Sequence, residues 1–417
     1  MTEKLDLNLS LSHRCLGVNS LQQIYVMLQL RQPPVQIKGR LPVNVSFVLD
    51  RSGSMAGEKL DYTKRAVKFA LEHLDTHDTV SVVAFDDEVN VLIPAQKAIN
   101  KDQMIQAIQS IGSGGCTNLS GGLFKGAGLV RENLLGDQVN RVVLLTDGLA
   151  NRGITEPQKL VSHVKRLNGK GITISTLGVG QDFQEDLLVD MAEAGGGNFY
   201  YISSPDMLPE IFRQELQGLL SVAAQNLELT ITPSESVKAI GIIGYKPEFG
   251  HDIRIKLPDM YSGDIKTVLI ELTVQTGDSG GLDLGQISLR YDDVQDNLVS
   301  VKLDLAINVP VTEKYGDLQD AVVDFKVIKE IEIYRTAQIR EEAIKKADEG
   351  LFDAACQMLK AQKEKLDDLF LKCQDNEILE EIRSLESNYY KVSESREFSP
   401  LLRKEMKFSS YRSRNKR

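Results

Sequence analysis

VNVSFVLDRSGSM, residues 43–55, is an apolar run that stops at a carboxylate and turns at once through two hydroxyls and a glycine. The run from Val43 to Leu49 is apolar nearly throughout, as expected of a strand covered on both faces. The same style recurs in TVSVVAF from Thr79, RVVLLT from Arg141 and ITISTLGV from Ile172. Between these runs lie segments of helical period. In EKLDYTKRAVKFALEHL, Leu60, Thr63, Val67, Ala70, Leu71 and Leu74 share one face, and LSGGLFKGAGLVRENLL and PQKLVSHVKRLNGKG repeat the pattern. DFQEDLLVDMAEAGGG then leads to a strand, NFYYI, and a last helix from Pro205. Strand and helix in alternation predict parallel strands joined by right-handed crossovers, a doubly wound α/β domain over residues 36–221.

The flanks are written differently. LDLNLSL from Leu5 and QIYVMLQL from Gln23 alternate as half-buried strands do, and the style returns in NLELTITP, SVKAIGII, HDIRIKLP, IKTVLIELTVQ, GQISLRYDDV and VSVKLDLAINV. Two N-terminal strands alone cannot bury a face. The expectation is one discontinuous β-sandwich, residues 1–35 with 222–315, into which the α/β domain is inserted. Residues 316–393 turn helical and read as a three-helix antiparallel bundle with short connections at Gly350 and after Cys373. Residues 394–417 are rich in Ser and Arg and read as a basic, disordered tail. Docking of that tail to an acidic surface, in cis or on a partner, is the alternative.

The chain has 417 residues, 26% of them charged, and a net charge of −10, which argues against nucleic acid as a partner of the whole molecule. Cys15, Cys116, Cys356 and Cys373 are far apart and form no CxxC, so neither a disulfide framework nor a zinc site is expected. The N-terminus lacks signal-peptide character, and no run of transmembrane length is present. Together these point to reduced thiols in a cytoplasmic protein of undetermined oligomeric state, without a membrane span.

Three segments carry chemistry: Asp50-Arg51-Ser52-Gly53-Ser54-Met55 after the first strand, Gly114-Gly115-Cys116-Thr117-Asn118 before a helix, and Thr146-Asp147-Gly148 after RVVLLT. Ligands of open parallel sheets sit beyond the carboxyl ends of the strands, where Asp50 and Asp147 lie and where the Thr117 loop can reach. Two carboxylates and three hydroxyls form a hard-oxygen set suited to Mg²⁺, with Mn²⁺ or Ca²⁺ as alternatives. Gly178-Val179-Gly180 lacks the third glycine of a dinucleotide loop, since position 183 is Phe183, and reads as a tight strand-to-helix turn. Asp86-Asp87-Glu88 reads as a solvated turn, and no Ser-His-Asp or Cys-His set stands out.

The DxSGS…T…D set, with LLTDGLANRG and ISTLGVGQDFQEDLLVDMAEAGGGNFYYI, strongly resembles the von Willebrand factor A family over about residues 41–221. The resemblance implies a Rossmann-like fold and a metal-ion-dependent adhesion site. In it Ser52, Ser54 and Thr117 ligate the metal directly, and Asp50 and Asp147 ligate it directly or through water. It also implies a non-enzymatic module whose metal binds an Asp or Glu side chain of a protein partner. Such a module would act as scaffold or adaptor in an intracellular assembly, with an AAA ATPase of the MoxR kind as a family-level analogy. The alternative is a metal-dependent hydrolase of phosphoesters, for which the sequence supplies no clear nucleophile or base.

Overall fold

The structure, a computed structural model, describes residues 4–34, 41–135, 138–147, 150–180, 183–202, 207, 210–213, 215, 221–245, 247–296, 298–313, 324–395 and 399–415. Three strands come first: β1 (Asp6–Leu11), β2 (Leu16–Gly17) and β3 (Leu21–Arg31). The α/β layer follows as β4 (Val43–Asp50), α1 (Glu58–His73), β5 (Thr79–Phe85), β6 (Val89–Lys97), α2 (Lys101–Gln109), α3 (Leu119–Glu132), β7 (Val139–Thr146), α4 (Pro157–Asn168), β8 (Thr173–Val179), α5 (Glu185–Ala194) and β9 (Gly196–Ile202). Its six strands run in the order β6-β5-β4-β7-β8-β9.

Alternate residues of the central strands feed two separate cores. Val45, Phe47 and Leu49 of β4 join Leu60, Val67 and Leu71 of α1 and Met104 and Ile108 of α2. Val48, Val83 and Leu144 face the other way, onto Leu123, Ala127 and Val130 of α3 and onto Leu160 of α4. Burial on both faces is why these runs lack a polar alternation. Five strands are parallel, but β6 pairs antiparallel with β5, a difference from the all-parallel expectation. The tight turn at Asp86-Asp87-Glu88 forces a hairpin, and the exposed Pro94 is tolerated because β6 is an edge strand. The last helix expected from Pro205 falls on residues described only at 207, 210–213 and 215.

The chain continues through β10 (Val222–Pro233), β11 (Val237–Ile243), β12 (Glu248–Phe249), β13 (Ile253–Lys256), β14 (Met260–Tyr261), β15 (Ile265–Gln275), β16 (Gly280–Asp293) and β17 (Val299–Thr312). One sheet has the order β1-β3-β15-β11; a second has β12-β13-β10-β16-β17-β2, with β14 on β10. The N-terminal β3 therefore lies between β1 and β15, paired from Arg31↔Ile265 to Leu21↔Gln275. Ile24, Val26, Leu28, Val268, Ile270 and Leu272 of the first sheet share a core with Leu229, Ile231, Ile287, Leu289 and Val309 of the second. Met27 and Leu269 point to the opposite face of the first sheet, where a helix covers them. That second burial is why QIYVMLQL alternates imperfectly.

The covering helix is α6 (Phe325–Asp348), which contributes Val327, Ile331 and Tyr334. It is followed by α7 (Phe352–Cys373), α8 (Asn376–Ser395) and α9 (Pro400–Asn415). The expectation of helix from residue 316 lies partly outside the described residues. The disordered tail expected over 394–417 is a correction: most of it is α9, so the described residues from 324 onward hold four helices where three were expected. Met406 and Tyr411 of α9 are buried. Its Phe408 and Tyr411 stack edge-on against Phe199 of β9, at 6.1 and 5.6 Å between centroids. Its cations meet α5: Lys404 Nζ lies 2.9 Å from Glu185, Lys407 Nζ 2.8 Å from Asp186, and Arg403 pairs with both acids. The acidic surface that orders this basic segment is thus in cis.

At the amino ends of the α/β strands a buried ion cluster joins the layers. Arg141, fully buried at the start of β7, donates to Glu215 at 2.9 Å, to Tyr261 at 3.0 Å and to Asp259 at 3.1 Å. Ser175, Asn198 and Tyr200 also donate to Glu215, and Thr173 donates to Asp259. Burial pushes both carboxyls up. Arg141 and the donors around Glu215 outweigh that and bring it below its usual value, whereas Asp259 stays raised.

Candidate metal centre

β4 delivers Asp50 to the carboxyl end of the sheet, and neighbouring β7 delivers Thr146 and Asp147 beside it. Both aspartates are buried. Asp50 Oδ1 accepts from the Ser52 backbone N–H at 2.8 Å, which closes the turn, and Asp50 Oδ2 accepts from Thr146 Oγ1 at 2.5 Å. Ser52 Oγ and Ser54 Oγ are 3.2 Å apart, and Ser54 Oγ donates to Asp147 Oδ1 at 2.8 Å. Burial raises the Asp50 carboxyl above its usual value; the bonds from Ser52 and Thr146 oppose this, and the nearby Asp147 adds to the rise.

The Thr117 loop is laced to this turn through the backbone. Gly114 N–H donates to Arg51 O at 2.7 Å, and Gly53 N–H donates to Gly115 O at 2.9 Å. Thr117 is buried, and its N–H donates to Asn151 Oδ1 at 2.8 Å. Asn118 caps α3 by accepting from Gly121 N–H. The structure therefore gathers Asp50, Ser52, Ser54 and Asp147 into one hydrogen-bonded chain and ties the loop carrying Thr117 to it. Gly148 lies outside the described residues.

Several supporting residues escaped the sequence reading. Asp86 is a correction to the solvated-turn reading. It is buried, pairs with Arg51 at 3.0 Å, and its carbonyl accepts from Asn118 N–H at 2.9 Å. A Cβ on Gly114 would overlap the buried, Arg51-paired Asp86 carboxylate, which makes glycine the fitting residue there; one on Gly115 would meet only the more exposed Asp87 carboxylate, which can turn aside. Lys59 Nζ lies 2.5 Å from Asp147 Oδ2. Their spacing along the chain gives no signal for this contact; only the fold supplies it. Gly178 and Val179 close β8, and Gly180 leaves it at φ +81° with its N–H donating to Ile202 O.

Whether these residues suit a metal can be judged from their chemistry. Two carboxylates and three hydroxyls are hard donors, and Asp147 already draws a cation, the Lys59 ammonium. Among the described residues no group of three or more His, Cys, Asp or Glu gathers as a metal cluster, so the donor character here rests on the hydroxyls. The set fits a hard divalent cation and does not resemble a thiolate or imidazole zinc site.

Residues 44–214 match the family model of the von Willebrand factor type A domain. The match lies within the α/β layer and spans less than half of the chain, so it is this domain that is of the von Willebrand factor A type. Domains of this family are typically metal-dependent protein–protein interaction modules. Among relatives, the chain is 29% identical over 325 residues to the uncharacterized protein sll0103 of Synechocystis, covering 74% of this chain and 76% of that one. It is 28% identical over 257 residues to YfbK of Escherichia coli, covering 60% of this chain but only 44% of YfbK. Its fold matches that of a von Willebrand factor type A protein from Catenulispora acidiphila with a TM-score of 0.76 at 17% identity, over 98% of this chain and 97% of that one. No helix among the described residues is long and apolar enough to cross a membrane.

Proposed function

We propose that the α/β domain binds Mg²⁺ through Asp50, Ser52, Ser54, Thr117 and Asp147, and that the ion receives an Asp or Glu side chain of a protein partner. The observation that carries this reading is the hydroxyl–carboxylate chain from Ser52 through Ser54 to Asp147 at the carboxyl end of the sheet. A bound divalent ion supplies an electrophilic centre for one external carboxylate. The chain's own contribution is to hold Asp50 with Thr146 and the Ser52 N–H, and to keep the Thr117 loop close through Gly114 and Gly115. The sandwich, divided as residues 1–35 with 222–315, and the helices from 316 would orient that site within a larger assembly. Four separated cysteines, none of them in a disulfide, favour a reducing, cytoplasmic setting.

The reading is tested on the full chain by thermal unfolding with Mg²⁺ and with EDTA. Mg²⁺ should raise Tm, because a ligand of the native state alone stabilises it. Asp50→Ala and Thr117→Ala should abolish the rise while retaining far-ultraviolet circular dichroism. An equal rise in both variants would place the ion elsewhere.

A further inference from the structure

Lys59 is an odd residue to find at this place. It lies in the first turn of α1, beside Glu58 and Asp61, where the helix dipole favours acids and disfavours a cation. Its ammonium is nevertheless 2.5 Å from Asp147 Oδ2, while Asp147 Oδ1 is held by Ser54. Asp147 is fully buried and the Lys59 side chain only about a quarter exposed. Gly180 makes room for the lysine stem: a Cβ there would come within 2.9 Å of Lys59 Cε.

Charge decides what the contact does. Asp50 and Asp147 with Lys59 leave one net negative charge at the site; a divalent ion turns that into one net positive charge. Without the lysine the loaded site would be neutral. We propose that Lys59 is a built-in counter-cation that weakens the site's hold on a divalent ion and, with the ion in place, strengthens its pull on a partner's carboxylate. The proposal rests on the metal-binding reading above, and it predicts opposite signs for two measurements on one variant. A purely structural ion pair would not do this.

The experiment uses the full chain, with Lys59→Met to keep the stem and Lys59→Arg to keep the charge. Mg²⁺ affinity is read by isothermal titration calorimetry. Carboxylate capture is read as the difference in retention on immobilised poly-L-glutamate between Mg²⁺ and EDTA. Lys59→Met should bind Mg²⁺ about tenfold more tightly, the scale of one screened unit charge at contact range, while its Mg²⁺-dependent retention falls several-fold. Lys59→Arg should stay close to wild type in both. If Lys59→Met loses its circular dichroism, Lys59→Gln, which keeps a donor for Asp147, takes its place. Unchanged or weaker Mg²⁺ binding by the neutral variant, or undiminished retention, overturns the proposal. A wild type that binds no Mg²⁺ overturns the metal reading itself, and this proposal with it.

Discussion

The two ends of the α/β sheet each present a pair of acids, and they treat them in opposite ways. At the amino end Glu215 and Asp259 face Arg141, a cation that is fully buried and donates to both. At the carboxyl end Asp50 and Asp147 are equally buried, but the cation that reaches them is Lys59, on a flexible stem and in contact with one of the two. A guanidinium fork locked among three elements cannot be exchanged for anything. A partly exposed ammonium beside a row of hydroxyls can share its place. The contrast separates a joint from a site. One cation faces two acids at each end, so the ends differ in hold and not in charge count: the Arg141 fork donates to both acids, whereas Lys59 touches Asp147 alone and leaves Asp50 to the hydrogen bonds from Thr146 and the Ser52 N–H.

The largest effect should come from breaking the joint. Arg141→Met strands two buried carboxylates and should cost about 3–5 kcal/mol in urea unfolding. Combining it with Glu215→Gln and Asp259→Asn should return most of that loss, because no buried charge then lacks its partner. If the triple variant is no better than the single one, Arg141 acts through packing and the contrast fails. A smaller effect is expected at the site: Asp147→Asn keeps an acceptor for Ser54 and leaves Lys59 able to turn to solvent. It should cost about 1 kcal/mol or less without metal, on the scale of one altered hydrogen bond, yet remove the Mg²⁺ response. A metal-free loss as large as that of Arg141→Met would make this end a joint as well.

The smallest effect belongs to α9, whose ion pairs with α5 lie between the two extremes. Burial raises the Asp186 carboxyl, but Lys407 and Arg403 outweigh it and hold the group below its ordinary value. A depressed folded value means that the contribution is complete above the unfolded value near 3.8 and is lost as pH falls through the folded one. Wild type minus Asp186→Asn should therefore be flat from pH 5 to 8 and shrink only below about pH 4. Because Asp186 is half exposed, the difference should stay under about 1 kcal/mol and fall further in salt.

The strands of the α/β layer were legible because burial on both faces leaves an unbroken apolar run. The site was legible because Asp50, Ser52 and Ser54 sit within one turn. Lys59 was not: in a first turn among acids it reads as a solvated lysine. Asp86 reads as turn acid until the Thr117 loop is seen to rest on it. In α9 the buried face is Leu402, Met406, Ser410 and Tyr411, and its charged partners Glu185 and Asp186 lie far back in the sequence, so composition alone suggested disorder. Local pattern reports what a segment buries, and it is silent about which distant charge completes it.

The pairing of β3 with β15 also sets a schedule for folding. Arg31 must find Ile265 across about 230 residues, and closing a loop of that length as free coil costs about 5 kcal/mol. If the α/β layer folds first, the two strands enter and leave a finished body and the open loop all but disappears. The layer is itself made of strand–helix units whose partners lie closer in sequence than β3 and β15 do, so its pairings close smaller loops than the one between the two sheets. Refolding should therefore proceed inside out, with the two sheets zipping only after the insert between their strands has taken shape.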